Sequence, residues 1–164
     1  CPRCGQGALF LVPPSDLAAK WAHAPVLADR RPGGGCYTLP PRGGTRLKIA
    51  DDLYTYRGDP DEGRAGTDID MARLLKAADR SYLRFHDYAI LERKACYYSV
   101  TEDTRFISRP VGQSAWLVSA CSGHGFKFGP VMGECAAAAV AGEASPDAVT
   151  AWVAGRGDSE ALPR

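Results

Sequence analysis

Residues 122–134, Ser-Gly-His-Gly-Phe-Lys-Phe-Gly-Pro-Val-Met-Gly-Glu, set a histidine and a lysine among small residues at the start of a segment that reads as a helix. The first turn of a helix carries unpaired N–H groups and a partial positive charge. Glycines ahead of it let the backbone approach a ligand closely. Lys127 adds a full positive charge. His124 adds a group that donates, accepts or titrates near neutral pH. Such a mouth suits a phosphate, a carboxylate, or a ring carbonyl that gains negative charge. Taken alone, these residues leave a second reading open, because glycine-rich strand-to-helix turns are common and a lone histidine is often structural. Cys1-Pro-Arg-Cys4 has the look of half a zinc knuckle. A structural zinc site takes four ligands, normally as two such pairs, and Cys36, Cys96, Cys121 and Cys135 stand alone. No metal is expected.

The elements that must position these residues follow from patterning. Ala8–Val12 is a short apolar run stopped by two prolines and reads as a strand. Residues 15–23 are polar and mixed, a loop or a single helical turn. Cys36–Leu39 and Thr45–Ala50 read as a hairpin turning at Arg42–Gly44. In its second strand Thr45, Leu47 and Ile49 share one face, and Arg46, Lys48 and Ala50 the other. Asp68 is placed to cap a helix running to about Phe85, with Met71, Leu74, Leu75, Ala78 and Leu83 at helical spacing. Strands are expected over residues 89–100, 106–111 and 115–120. A helix then runs from about Pro130 to Ala141, punctuated by proline at its start and Gly142 past its end. Ser145-Pro-Asp147 starts a short last helix. Strands with only two substantial helices predict an α+β class with a mainly antiparallel sheet, ending in a helix that faces the ligand.

The chain has 164 residues, 20 basic and 19 acidic, for a net charge of +1. That length supports one domain with a hydrophobic core. That balance gives no electrostatic case for nucleic acid or an anionic membrane. No apolar run approaches the ~20 residues that cross a bilayer. Six cysteines in a chain with no secretory signature read as free cytosolic thiols, so a cytoplasmic protein is expected. The first residues, with no initiator Met, suggest a piece of a longer protein.

Three motifs together carry a resemblance. The 122–134 stretch resembles the C-terminal flavin-binding signature of the monomeric sarcosine oxidase family of FAD-dependent amine oxidoreductases, which includes N-methyltryptophan oxidase. Cys36-Tyr-Thr-Leu-Pro40, Gly43–Gly44 and Leu47–Lys48 are similar to that family's Tyr-x-x-Pro…Gly-Gly…Leu-Lys hairpin. Cys96, Tyr98, Asp103 and Phe106–Ile107 are similar to its Cys-x-Tyr-x-x-x-x-Asp-x-x-Phe-Ile segment. The order is kept over nearly the whole chain. The resemblance implies oxidation of a secondary amine or N-methyl amino acid to an imine, with oxygen reduced to hydrogen peroxide. FAD would be the cofactor and a small amine the substrate. Residues 1–164 would be the C-terminal substrate and flavin-ring portion. No Gly-x-Gly-x-x-Gly follows an N-terminal strand, so the Rossmann FAD domain is expected to be absent from this chain. It would be supplied by a separate or missing half, and the alternative is a non-catalytic fragment that packs on such a chain.

The resemblance also implies roles. Cys96 matches the cysteine that tethers FAD by a thioether; without it, Cys96 reads as a small apolar strand residue. Lys48 matches the lysine that promotes reaction with oxygen, where an ammonium stabilises a new anion in a low-dielectric site. Its plain reading is a solvated strand lysine. Lys127 and His124 match residues on the substrate side, Lys127 pairing with the substrate carboxylate. Gly123, His124, Gly125, Phe126 and Lys127 would hold the flavin ring. Tyr37 matches a wall of the substrate pocket, or is a cross-strand packing tyrosine. Asp52 stands where the family often has a histidine, which points to a different amine.

Overall fold

The computed structural model describes residues 3–32, 35–51, 53, 55–56, 58–59, 61, 63–119 and 121–158, with backbone alone for residues 3–5. Asp52 and Cys1 lie outside them, as does the Cys4 side chain. The chain divides into two compact units, Arg3–Tyr97 and the part from Tyr98 onward. They are called here the sheet unit and the hairpin unit.

In the sheet unit, β1 (Arg3–Val12), β2 (Leu27–Asp29), β3 (Cys36–Leu39), β4 (Leu47–Asp51) and β5 (Ala89–Ser99, whose last two residues fall in the hairpin unit) form one sheet, ordered β2-β3-β4-β1-β5. The pairs β2–β3, β3–β4 and β1–β4 are antiparallel. Among the described residues, α1 (Ser15–His23) and α2 (Asp68–Ser81) are the α-helices of this unit. The two sheet faces differ in kind. Leu9, Leu11, Cys36, Leu47 and Ile49 turn to one side and form a core with Met71, Leu74, Ala77 and Ala78 of α2. The other face carries Phe10, Tyr37, Leu39 and Lys48, because registers Phe10↔Lys48, Tyr37↔Ala50 and Leu39↔Lys48 place them there. The alternation read for β4 therefore holds.

Several elements depart from the sequence reading. Thr67, not Asp68, caps α2: its hydroxyl accepts from the Asp70 N–H at 3.2 Å. Helix α2 ends at Ser81. Arg84 then adopts φ 57° and a 3-10 turn covers Phe85–Asp87, which leaves Leu83 86% exposed. Residues 15–23 form a helix of 9 residues, longer than the loop or single turn expected. The helix is anchored by buried Trp21, whose Nε1 donates to the Tyr88 hydroxyl at 2.8 Å and whose ring meets Tyr82 at 5.6 Å. So short a helix depends on such tertiary anchors more than on its own periodicity.

In the hairpin unit, β6 (Ile107–Val111) and β7 (Ala115–Ser119) pair antiparallel. Helices α3 (Gly129–Val140) and α4 (Pro146–Val153) pack on them around Phe106, Met132, Cys135, Ala139, Val149 and Val153. Helix α3 ends as its sequence predicts. Gly142 takes φ 77°, its N–H bonds the Ala139 carbonyl, and the Glu143 N–H bonds the Ala138 carbonyl. No helix among the described residues is long and apolar enough to cross a membrane.

Candidate functional site

On the polar face of the sheet unit the structure brings Lys48 and Tyr37 together. They sit diagonally across the β3–β4 pair, and Lys48 Nζ donates to the Tyr37 hydroxyl at 3.3 Å. The ammonium also lies 5.5 Å from the centre of the Tyr37 ring, within cation–π range. The Tyr37 hydroxyl donates in turn to Gln6 Oε1 at 3.3 Å, and Gln6 Nε2 donates to the Asp51 carbonyl. Ala8 and Ala50, both fully buried, lie on the same face between these longer residues. Asp51 is itself buried, and its carboxylate pairs with Arg73 of α2 at 2.7 Å. Burial raises the Asp51 pKa, against the pull of the Arg73 guanidinium.

Beside this cluster, Arg46 stacks over Phe10 at 4.4 Å and pairs with Glu92 at 2.7 Å. Lys94 pairs with the same carboxylate at 2.9 Å. These contacts put Glu92 and Lys94 of β5 on the face of Phe10 and Lys48. Alternation along β5 places Cys96 there too. Its thiol is free and half-buried.

The hairpin unit holds Gly123, His124, Gly125, Phe126 and Lys127 in one tight turn. Ser122 and Gly123 both adopt left-handed backbone, φ 39° and 74°. The Ser122 N–H donates to the Ser99 carbonyl at 2.9 Å, and the His124 and Gly125 N–H groups both donate to the Cys121 carbonyl. A Cβ at Gly123 would stand 2.7 Å from the Tyr98 ring, so no side chain fits there. The chain then makes a 3-10 turn over Phe126–Phe128 that leads directly into α3 at Gly129. His124 stacks on Phe106 at 4.9 Å, and its Nδ1 lies 2.7 Å from the Ser122 carbonyl. A carbonyl only accepts, so Nδ1 donates and Nε2 of the neutral ring is left as an acceptor. Lys127 is exposed, 5.3 Å from the Phe128 ring centre, and Phe126 is 99% exposed.

A hollow of about 690 Å³ in the hairpin unit contains none of these residues. Two of the arginines that line it are engaged locally: Arg105 donates to the Ala154 carbonyl at 2.8 Å, and Arg156 lies 3.5 Å from Asp103. Gln6 and Asp51 carry no motif in the sequence. The β1 register alone could have placed Gln6, two residues before Ala8, on the face of Lys48.

The chain is 32% identical over 118 residues to monomeric sarcosine oxidase of Bacillus sp. (strain NS-129), a stretch covering 69% of this chain and 30% of that protein. Among solved structures, fructosyl peptide oxidase from E. terrenum superposes with a TM-score of 0.72 at 18% identity, over 99% of this chain and 45% of the other. A modified fructosyl peptide oxidase from Aspergillus nidulans gives 0.71 at 18% identity, over 99% and 43%. These structures share the fold, and the chain spans less than half the length of the relatives it matches. From residue 2 to residue 139 the sequence fits one family pattern, and by that match the chain belongs to the FAD dependent oxidoreductase family.

Proposed function

We propose that residues 1–164 are the substrate and flavin-ring portion of an amine oxidoreductase that converts a secondary amine or N-methyl amino acid to an imine and reduces oxygen to hydrogen peroxide. The observation that carries this reading is the Lys48 ammonium bonded to the Tyr37 hydroxyl, on the sheet face where Cys96 also stands. The residues present fit FAD: a free half-exposed thiol for a tether, a directed ammonium, and a glycine turn with an exposed lysine. Bound FAD supplies the redox chemistry, taking a hydride equivalent from the carbon next to nitrogen and passing electrons to oxygen.

The chain's own residues do the rest. Lys48 stabilises the negative charge that oxygen acquires. Tyr37 walls the substrate pocket. Lys127, exposed and cationic, binds the substrate carboxylate. His124 presents Nε2 as an acceptor beside it. Gly123 and Gly125 let the backbone come close to the ring, and Phe126 covers it. Cys96 would supply the thiol that holds FAD. The cytoplasm is the compartment this reading assigns, and the free thiols at Cys36, Cys96, Cys121 and Cys135 support it.

The test is acid precipitation of the full-length holoenzyme. Yellow colour should stay with the polypeptide, on the peptide containing Cys96, and Cys96→Ala should release it to the supernatant. Flavin still bound covalently in Cys96→Ala would rule out the tether. Lys48→Met should slow reoxidation by oxygen far more than reduction by substrate, and equal slowing of both half-reactions would remove the oxygen role.

A second reading has its own support. The matched relatives are more than twice this chain's length, and Val111, Leu117, Val118, Phe126 and Phe128 of the hairpin unit are exposed apolar residues. On this reading the chain is non-catalytic alone and packs on a separate FAD-binding chain. A colourless protein at its bare mass, purified from its natural source, would favour it.

A further inference from the structure

We infer that Gln6 is a positioning residue for Lys48, acting through Tyr37. This rests on the oxygen role proposed above for Lys48. Three strands supply the parts: Gln6 from β1, Tyr37 from β3, and Lys48 and Asp51 from β4. The direction of each hydrogen bond is determined by its neighbours. The Asp51 carbonyl has no proton, so the Gln6 group facing it must be the Nε2 donor. That settles the amide's orientation and leaves Oε1 facing the Tyr37 hydroxyl at 3.3 Å. Oε1 only accepts, so the Tyr37 O–H must point at Gln6. The hydroxyl lone pairs are then what Lys48 Nζ meets at 3.3 Å. A tyrosine hydroxyl free to rotate would offer Lys48 its proton part of the time and repel the ammonium. Gln6 removes that orientation.

The far end of the relay is rigid. The donor from Gln6 lands on backbone at the end of β4, where Asp51 pairs with Cys36 of β3. The same residue's buried carboxylate is tied to Arg73 of α2. The relay therefore runs from the core helix to the half-exposed ammonium. It spends one ammonium proton on Tyr37, so the remaining N–H bonds keep a fixed direction away from the sheet.

The experiment compares Gln6→Met, Tyr37→Phe and the double variant in the holoenzyme, with two readouts. The first is the rate of reductive methylation of Lys48, with Lys20 and Lys76 as internal references. The second is the rate of flavin reoxidation by oxygen. A hydrogen bond of ordinary net strength predicts Lys48 labelling ~2- to 10-fold faster in each single variant, with the double no faster than either. Should Gln6→Met not fold, Gln6→Asn, one methylene too short to bridge, gives the same reading. Unchanged Lys48 labelling in the Gln6 variant, or effects that simply multiply in the double, would overturn the relay. A labelling change with unaltered reoxidation would uphold the relay and remove the oxygen role of Lys48 instead. Slower reoxidation with unaltered labelling would overturn the relay and leave that role standing.

Discussion

Lys48 and Lys127 are the two lysines proposed to act on flavin chemistry, and the fold holds them in opposite ways. Lys48 stands in a strand whose register places it diagonally from Tyr37, and its ammonium has a directed hydrogen bond. Lys127 stands in a 3-10 turn, exposed, its ammonium 5.3 Å from the centre of the Phe128 ring. A sheet face aims a side chain through the backbone of three strands at once. A turn aims it through local dihedral angles, here the left-handed pair at Ser122 and Gly123. The first kind of site should fail when its core is loosened, the second when its turn is blocked.

The largest effect expected is at the core beneath the sheet site. Leu74 is fully buried against the apolar face of the sheet. Leu74→Ala should cost about 2–5 kcal/mol of sheet-unit stability. Trp21 reports on that unit, while Trp116 and Trp152 report on the hairpin unit. A denaturation curve in which the Trp21 signal does not shift, measured with the other two tryptophans replaced by Phe, would contradict the place of Leu74 in the core that Trp21 reports.

Next in size is the turn. Gly123→Ala forces alanine into left-handed backbone, a cost of roughly 1–2 kcal/mol. It also drives a methyl to 2.7 Å from the Tyr98 ring, where overpacking adds about 1–3 kcal/mol. Gly133→Ala is the matched control, because outside its own helix nothing lies within 4 Å of its added Cβ and the residue stands inside α3. It should be neutral or stabilise by up to ~1 kcal/mol. Opposite signs at two glycines ten residues apart, read by thermal unfolding, would show that the turn and not glycine content organises the loop.

The difference between the two regions also explains what the sequence disclosed. The hairpin at β3–β4 was legible because alternation sorted Leu47 and Ile49 from Lys48, and the structure keeps that sorting. Helix α3 was legible because Pro130 and Gly142 punctuate it. Gln6 was not, since a glutamine in a strand has no periodic signal and its partners lie 31 and 45 residues away. Helix α1 was missed for the same reason, its anchor Tyr88 being 67 residues on. The cap of α2 was misplaced by one residue because Thr67 and Asp68 are both good cap types and only geometry chooses between them. The resemblance picked out Tyr37 and Lys48 by motif, but which groups orient them depends on cross-strand register.

The smallest effect is one of reactivity, and it compares the units cysteine by cysteine. Among the described side chains, each unit has one buried thiol and one half-exposed thiol: Cys36 and Cys96 in the sheet unit, Cys135 and Cys121 in the hairpin unit. Burial raises the pKa of Cys36 and of Cys135, at 1% and 2% exposure. A raised thiol pKa means less thiolate at any given pH, and thiolate is the species that alkylates. Iodoacetamide on the native, flavin-free chain near pH 8 should therefore modify Cys96 and Cys121 while Cys36 and Cys135 wait for unfolding. Mass mapping of the four peptides reads this directly. Leu74→Ala should then unmask Cys36 before Cys135, and Gly123→Ala should unmask Cys135 before Cys36. If both variants exposed the same thiol first, the two cores would be opening as one, and the contrast between sheet-held and turn-held sites would lose its physical basis.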